Sequence, residues 1–348
     1  MEAEVMVRQV DALAEDVRAS AGRFGERACG LLDPAEWAQV ERVFLTGDGD
    51  SYHAACAAEM AFESIGGVAC EPLSAMRFAH YAAEWMRPAA PGRVLVVAIS
   101  ASGGTERVVE ALHAARRYGA LTVAVTGTPG SPVTRVADRT LLVDLPDGEP
   151  SPGIRTYQAS LLGLLSIALR LGRDGGVADK ELAALAAEVD ATAEAIRPEC
   201  RRVAGLVADA PAMVLLGSGP SYGTALFAAA KLVEGASVFA VGQDLEEWSH
   251  VERFAYPDDM PVFVIAPPGR SHGLAAAVAA RARDLGRRVI AVAGHGDTAV
   301  ARNALAVLPV HGQVREEFSP LLYHLFAGYV ACYVAQRLGR LPFQTHRS

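Results

Sequence analysis

The chain carries one sequence pattern twice. Residues 44–52 (FLTGDGDSY) and 214–222 (VLLGSGPSY) each combine an apolar run with Gly-x-Gly-x-Ser-Tyr, and an Ala-rich run follows both. The similarity continues further on, because residues 94–127 match residues 261–294 in pattern. An internal repeat of this length is typical of two copies of one fold. With 348 residues, the chain is long enough for two domains of roughly 150 residues each.

Within each copy, apolar strand-like runs alternate with helical patterns, and short Gly-rich turns join them. Alternation of this kind predicts a parallel sheet covered by helices. We therefore expect an α/β protein with two doubly wound parallel-sheet domains in tandem. The predicted strands of the first copy are at 42–46, 68–73, 93–99, 121–126 and 139–144.

The predicted domain organisation has five parts. A loop rich in Pro and Gly and a short break close the first copy, and an Ala/Glu-rich helical pattern separates it from the second. The parts are an N-terminal helical segment (1–40), a first domain (41–175), a connecting helix (176–210), a second domain (211–338) and a C-terminal tail (339–348).

Composition narrows the range of partners. The net charge of −8 argues against nucleic acid or an anionic membrane as the main partner, although a small anion needs only local donors. We expect no membrane helix, since such a helix needs roughly 18 uninterrupted apolar residues. The longest candidate, Leu321–Leu338, is interrupted by His324, Gln336 and Arg337. No basic segment is followed by an apolar stretch near the start, so we expect no signal peptide.

Cysteine and histidine usage supports a protein of the reducing cytoplasm. The cysteines show no CxxC spacing, which indicates reduced thiols. The spacing of His and Cys does not resemble a zinc site, and no G-x-G-x-x-G with a downstream acid suggests a dinucleotide site. We therefore expect a cytoplasmic location and neither a metal nor a cofactor. The cysteines stand at positions 29, 56, 70, 200 and 332.

One loop differs between the copies. The first copy has Ser100-Ala-Ser-Gly-Gly-Thr105 between a strand and a helix, where the second has Pro267-Pro-Gly-Arg-Ser-His272. A loop that enters a helix offers backbone N–H groups and the positive end of the helix dipole, and hydroxyls add uncharged donors. The pattern indicates an anion site, which Ser51 on a second strand-to-helix turn would extend. The alternative is ordinary helix capping by Ser102 or Thr105.

The two motifs together resemble a known family. GDGDSY followed by ISASGGT is similar to the phosphosugar-binding signature of the sugar isomerase (SIS) domain. The tandem arrangement resembles the isomerase half of glutamine–fructose-6-phosphate aminotransferase and the related phosphosugar deaminases and deglycases. The resemblance covers the chain from about residue 40 to residue 340, and it implies two SIS-type domains.

The resemblance implies a ligand and the residues that bind it. The ligand would be a sugar phosphate or an amino-sugar phosphate. In the family the Ser and Thr residues of the loop bind the phosphate. Carried over, the loop supplies Ser100, Ala101, Ser102 and Thr105, and Ser51 stands at the matching place in the first turn.

Lys231 and Glu234 lie three residues apart in a helical pattern. This spacing places them on one face, where a surface ion pair is the ordinary interpretation. The relatives carry K-L-x-E at this place, and the resemblance implies that Glu234 moves a proton between C1 and C2 of an open-chain sugar. A carboxylate on a helix suits that task. Lys231 would polarise a sugar oxygen or keep Glu234 ionised.

His250 falls on the histidine of a further family pattern, G-E-x-x-H. The resemblance implies that this histidine opens the sugar ring, and that it reaches the active site of a neighbouring subunit. We therefore expect a homodimer with a shared active site. A histidine without such a frame is usually a capping or surface residue.

Several features depart from the family pattern. The relatives end in a tail with a Schiff-base Lys, whereas this tail has none. Arg155 stands where the relatives have a Lys, and its side chain would neutralise a substrate anion. The family's usual C-G-T-S-Y is replaced by GDGDSY, in which Asp48 and Asp50 either point away from the ligand, contact sugar hydroxyls, or mark an altered site. We expect no glutamine amidotransferase domain in the chain.

The function expected from these features is enzymatic. It is the isomerisation of an aldose and a ketose, or the deamination or deglycation of a sugar 6-phosphate or amino-sugar 6-phosphate, by ring opening and proton transfer between C1 and C2. Two alternatives stay open. The chain is then either a non-catalytic phosphosugar sensor, or a sugar-binding subunit that receives ammonia from a separate amidotransferase.

Overall fold

The computed structural model describes residues 1–86, 92–146, 148–172 and 175–344. Residues 345–348 of the predicted tail, and part of the predicted break at 173–178, lie outside these ranges. In the first half the helices and strands are α1 (Val5–Asp11), α2 (Leu13–Cys29), α3 (Pro34–Gln39), β1 (Arg42–Gly47), α4 (Asp50–Ser64), β2 (Ala69–Ser74), α5 (Ala75–Arg77), β3 (Val94–Ile99), α6 (Glu106–Arg117), β4 (Leu121–Thr126), α7 (Pro132–Val136), β5 (Arg139–Leu142) and α8 (Ile154–Leu171).

The second half repeats the alternation. Its elements are α9 (Gly175–Val207), β6 (Ala212–Leu216), α10 (Pro220–Ala236), β7 (Phe239–Gln243), α11 (Leu245–His250), β8 (Pro261–Ala266), α12 (His272–Asp284), β9 (Arg288–Gly294), α13 (Thr298–Ala301), β10 (Ala306–Val310), α14 (Pro320–Tyr323) and α15 (Leu325–Leu338). Short π or 3₁₀ turns lie at Phe78–Ala82, Ala83–Trp85, Glu252–Phe254 and Glu316–Phe318.

The two sheets have the same topology. The first has the strand order β2-β1-β3-β4-β5, and the second has β7-β6-β8-β9-β10. Neighbouring strands are parallel throughout both sheets. Parallel neighbours need a crossover connection, which the intervening helices supply. The predicted α/β fold with two doubly wound sheets in tandem is therefore confirmed.

The chain packs into two compact units that do not follow chain order. The first-repeat unit comprises residues 15–148 and 155–185, and the second-repeat unit comprises residues 1–14, 149–154 and 186–348. Each unit contains one of the two sheets. The five parts expected from the sequence, and the boundaries between them, stay predictions.

The first-repeat core lies between the sheet and α6. Alternate residues of β3, namely Val94, Val96 and Ala98, are buried with the apolar face of α6, which includes Val108 and Leu112. Strand β3 is buried along its whole length, as expected for a central parallel strand. This packing holds the end of β3 and the start of α6 in a rigid frame.

The last two helices of the chain, α14 and α15, lie in the core of the second-repeat unit. Residues Glu316–Leu338 are apolar enough by composition to cross a membrane, but their apolar window is entirely buried within the protein. This burial is the property of core helices of a folded domain. Glycine allows it to pack closely, because a side chain at Gly235 of α10 would approach Ala331 of α15 to 3.2 Å.

Glu59 of α4 gives the first-repeat unit a testable pH dependence. Burial and the charges of Glu63 and Glu71 raise its pKa from about 4.5 to about 7. Ionised Glu59 is therefore disfavoured in the folded state, and its contribution to stability falls as pH rises from about 4.5 to about 7. We expect Glu59→Gln to raise the melting temperature more at pH 8 than at pH 5. The exposed Glu106→Gln serves as the control, and equal shifts at both pH values would contradict the prediction.

Candidate functional site

The candidate site lies where the strand order of the first sheet reverses. The chain passes from β1 to β2 on one side, and then crosses to β3 on the other side of β1. Ligands of doubly wound sheets bind outside the carboxyl ends of the strands at this point. The two strand ends are in close contact, because a side chain at Gly47 would lie 2.9 Å from the Ile99 carbonyl oxygen. The turns that carry Ser51 and Ser100 therefore adjoin.

The turn after β1 delivers Ser51 into the first turn of α4. Gly49 precedes the helix with φ of 54°, a conformation that glycine adopts without strain. Gly49 has no side chain with which to cap the helix, and the Ser51 N–H donates to the Asp48 carbonyl oxygen at 3.2 Å. The Ser51 side chain is half-buried at this end of the helix. Ser51 thus lies at the positive end of the α4 helix dipole, which favours an anion.

The two aspartates of this turn have different surroundings. The Asp48 carboxylate accepts a hydrogen bond from the Ala75 N–H at 3.2 Å, so it is directed at the start of α5. The Asp50 carboxylate lies 3.6 Å from Nδ1 of His53, three residues further along α4. The structure thus gives both carboxylates contacts within the protein.

The loop after β3 presents its hydroxyls at the start of α6. Ser100 is 2% exposed, and its Oγ lies 3.0 Å from Oγ1 of Thr105. Thr105 is the residue that precedes α6, yet its side chain accepts no hydrogen bond from the helix. Ser102 is exposed, and its Oγ accepts a hydrogen bond from the Gly104 N–H at 3.3 Å. Ordinary capping by Thr105 therefore does not explain the loop.

Ala101 contributes its backbone to this arrangement. Its carbonyl oxygen accepts from the Gly127 N–H at 3.2 Å and from the Thr128 hydroxyl at 3.2 Å. A further donor is the Thr126 hydroxyl at 3.3 Å. These bonds tie the middle of the loop to the end of β4. Ala101 thus holds the loop in position through its carbonyl.

Arg155 is engaged in a buried ion pair. Its Nε and Nη2 donate to the two carboxylate oxygens of Asp16, each at 2.6 Å. The side chains of the pair are 12% and 5% exposed, and the Pro146 carbonyl accepts a third bond at 3.1 Å. The charge of the guanidinium is therefore balanced inside the first-repeat unit, and its role toward a substrate stays a prediction.

Lys231 and Glu234 meet on α10 of the second-repeat unit. Lys231 Nζ lies 2.5 Å from Glu234 Oε2, and 5.1 Å from the centre of the Phe227 ring. The side chain of Lys231 is 0% exposed, whereas that of Glu234 is 35% exposed. A surface ion pair has two exposed partners, so that interpretation does not fit. The arrangement holds a carboxylate that is open to solvent against a fixed, buried cation.

His250 ends α11 and faces solvent. Its side chain is 69% exposed, and its Nε2 lies 3.0 Å from Glu246 Oε1 one turn earlier. The short helix begins at Asp244, whose carboxylate accepts from the N–H groups of Glu246 and Glu247. Exposed apolar side chains follow His250 at Val251, Phe254 and Tyr256.

The matching loop of the second repeat is filled by a carboxylate. Oε2 of Glu316 accepts a hydrogen bond from the Arg270 N–H at 2.9 Å. A side chain at Gly269 would lie 2.6 Å from both oxygens of the same carboxylate, which packs directly on the loop backbone. An anionic group of the protein therefore binds the backbone of the loop that corresponds to the hydroxyl loop of the first repeat.

An acid–base pair in the second-repeat unit was not predicted from the sequence. His272 Nε2 lies 2.6 Å from Asp297 Oδ2. Burial raises the pKa of Asp297, but the bonds from His272 and from the N–H groups of α13 outweigh it and lower the pKa overall. The two residues are 25 positions apart, and no local signal links them. Within the described parts of the chain, no three His, Cys, Asp or Glu side chains gather as a metal site.

Comparison with known proteins identifies a family. The SIS domain model matches residues 36–169 and 206–335. A glutamine–fructose-6-phosphate aminotransferase of Pyrococcus horikoshii is 28% identical over 310 residues, which cover 87% of this chain and 50% of that protein. The chain thus spans about half the length of the curated relatives that it matches.

Solved structures agree in fold. Glucosamine-6-phosphate deaminase from Thermotoga maritima superposes with a TM-score of 0.73 at 18% identity, over 97% of this chain and 98% of that one. Tagatose-6-phosphate ketose/aldose isomerase from Escherichia coli gives 0.77 at 17% identity, over 99% and 97%. At such identities the likeness is one of fold.

Proposed function

Because the chain belongs to the SIS domain family, as the expected resemblance is now confirmed, we propose that it is an enzyme acting on a sugar 6-phosphate or an amino-sugar 6-phosphate. Its structural and sequence relatives include an isomerase, a deaminase and aminotransferases. The observation that carries the proposal is the hydroxyl loop Ser100–Thr105, which lies at the strand-order reversal and leaves the start of α6 without a side-chain cap.

The phosphate is held by neutral donors. Ser51, Ser100, Ser102 and Thr105 supply hydroxyls, and the starts of α4 and α6 supply N–H groups and the positive ends of two helix dipoles. Backbone donors and hydroxyls can bind a phosphate without a cation. The engagement of Arg155 with Asp16 is therefore compatible with phosphate binding.

The chemistry is a proton transfer on an open-chain sugar. His250 opens the ring by moving the proton of the anomeric hydroxyl to the ring oxygen, while the bond between the anomeric carbon and the ring oxygen breaks and a carbonyl forms. Glu234 then takes a proton from the carbon next to the carbonyl, which leaves an enediol or enolamine, and returns it to the adjacent carbon. Lys231 fixes the Glu234 carboxylate through a contact of 2.5 Å. Isomerisation, deamination and deglycation share this step.

A homodimer with shared active sites fits the surroundings of His250. A ring-opening residue must contact the sugar, yet the His250 side chain is largely exposed and is followed by exposed apolar residues. A second copy of the chain that covers this segment would bury those residues and place His250 against a ligand. We also propose that the enzyme is cytoplasmic, because its relatives include enzymes of sugar-phosphate metabolism.

Thermal unfolding with a panel of ligands tests the proposal. The panel contains fructose 6-phosphate, glucosamine 6-phosphate, tagatose 6-phosphate, the corresponding free sugars and inorganic phosphate. A ligand that binds the folded state raises the melting temperature, and at equal concentration a tighter ligand raises it more. We expect a selective rise with one sugar 6-phosphate, and its loss in the double variant Ser100→Ala/Ser102→Ala. Ser271→Ala, in the matching loop of the second repeat, is the control. The absence of a rise with every phosphorylated ligand would overturn the proposal.

One phosphosugar per chain is the expected stoichiometry. The matching loop of the second repeat already holds the Glu316 carboxylate, which would repel a phosphate at that place. Isothermal titration with the phosphosugar that gives the largest thermal shift measures the number of sites. Two equal sites per chain would contradict the prediction.

A further inference from the structure

Ser131 stands at a helix start that it does not cap. It is the residue before α7 in the first-repeat unit, a place where serine usually accepts a hydrogen bond from the helix. Its side chain makes no such bond. The residue is 6% exposed, and its hydroxyl oxygen is buried without a hydrogen-bond partner among the residues that the structure describes.

The Ser131 hydroxyl points instead at the loop Ser100–Thr105. A side chain at Gly103 would lie only 2.0 Å from Ser131 Oγ, and 2.9 Å from Oγ1 of Thr126. Gly103 has φ of 66°, so both its conformation and its surroundings require glycine. The hydroxyl thus touches the backbone at the centre of the phosphate-binding turn.

The loop Ser100–Thr105 caps α7 in place of the Ser131 side chain. The Val133 N–H donates to the Gly103 carbonyl oxygen at 3.1 Å, which is the kind of bond that the Ser131 side chain would otherwise accept. The loop and α7 are therefore coupled through Gly103. A movement of Gly103 must change the surroundings of both the Val133 N–H and the Ser131 hydroxyl.

A buried hydroxyl without a partner is unfavourable, and such groups are rare in folded proteins. A local arrangement that breaks a general rule is often found at a functional site. Here the unpaired group lies against the loop that also carries the proposed phosphate donors. These observations come from burial and packing and are independent of the serines that form the loop.

We propose that Ser131 is a positioning residue of the phosphate-binding turn, an inference that rests on the proposed function. In the described part of the chain its hydroxyl has no hydrogen-bond partner. The Gly103 N–H now donates to the Ser100 carbonyl oxygen at 3.0 Å, and the Gly104 N–H donates to Ser102 Oγ at 3.3 Å. When these N–H groups turn toward a phosphate, the Ser131 hydroxyl donates to the backbone of the shifted turn and stabilises it. Ser131 acts through Gly103, because its own oxygen is shielded from the ligand.

The test compares wild type, Ser131→Ala and Thr134→Val. Thr134 is the matched control, because its hydroxyl lies on the same short helix and already donates to the Ser131 carbonyl at 2.8 Å. Binding of inorganic phosphate, and of the phosphosugar with the largest thermal shift, is measured by titration calorimetry. Thermal unfolding without ligand is measured in parallel.

Ser131→Ala is expected to change stability and affinity in opposite directions. Loss of the unpaired hydroxyl raises the melting temperature by about 2 °C, while the affinity for both probes falls about tenfold, as for one lost hydrogen bond. Thr134→Val leaves the affinity unchanged.

Three results would overturn the inference. Unchanged affinity in Ser131→Ala, with wild type binding normally, would remove the role of Ser131 and leave the proposed function intact. A fall in both stability and affinity would show a merely structural residue. Failure of wild type to bind either probe would overturn the proposed function, and the role of Ser131 with it.

Discussion

Replacing Glu234 with glutamine is expected to lower turnover of the phosphosugar by about 10²- to 10⁴-fold, the usual contribution of a positioned acid–base group. The amide has the shape of the carboxylate but cannot take up and return a proton. Its oxygen can still accept a hydrogen bond from Lys231, whose side chain is fully buried beside it. The variant should therefore fold, and its ligand affinity should change by only a few fold.

Single-turnover kinetics and titration calorimetry measure the two effects separately. Glu199→Gln is the control, because Glu199 also forms an i,i+3 ion pair, with Arg202, in the same unit. We expect this control to keep wild-type turnover. A phosphosugar sensor would bind the ligand in both variants and turn it over in none. Wild-type turnover by Glu234→Gln would remove Glu234 from the mechanism.

The second large effect, a loss of folding stability, is expected when the buried ion pair between Asp16 and Arg155 is broken. Asp16→Ala leaves a guanidinium that is only 12% exposed without its carboxylate. Breaking a buried ion pair in this way typically costs about 3–5 kcal/mol of the free energy of unfolding. Urea unfolding measures this loss. The control is Glu15→Gln, because Glu15 precedes Asp16 and pairs with Arg18 on the surface; it should cost less than about 1 kcal/mol.

The double variant Asp16→Leu/Arg155→Met separates the structural from the substrate role of Arg155. Two apolar side chains of similar volume often restore the stability that is lost when one partner of a buried pair is removed. If Arg155 serves the fold alone, this variant regains stability and binds the phosphosugar like wild type. If Arg155 neutralises a substrate anion, the variant is stable but binds weakly. A single-variant loss below about 1 kcal/mol would contradict the buried ion pair itself.

Much of the fold was predictable because its signals are local. The alternation of strands and helices and the turns at Gly47–Ser51 and Gly217–Ser221 recur at a constant offset, and both sheets follow the same strand order. Residues of one turn, such as Ser100 and Thr105, meet because few residues separate them. Helical spacing likewise places Lys231 beside Glu234.

Local sequence patterns could not predict the burial of side chains or the contacts between distant segments. Helical spacing could not show that Lys231 is fully buried while Glu234 is partly exposed, since burial depends on what packs over the helix. Arg155 was expected at the ligand, but Asp16, 139 positions earlier, holds it. The substrate role of Arg155 and the other proposed site roles stay predictions.

The sequence by itself determined the duplicated α/β architecture and the place of the hydroxyl loop, because repeat pattern, periodicity and turn residues act over a few positions. Only the tertiary structure decided which charges are already paired and which hydroxyls are not. Glu316 binds the backbone N–H of Arg270, 46 positions earlier, in the loop of the second repeat. Ser131 packs against Gly103 in the hydroxyl loop of the first repeat. Such contacts form when distant segments pack, so no local pattern encodes them.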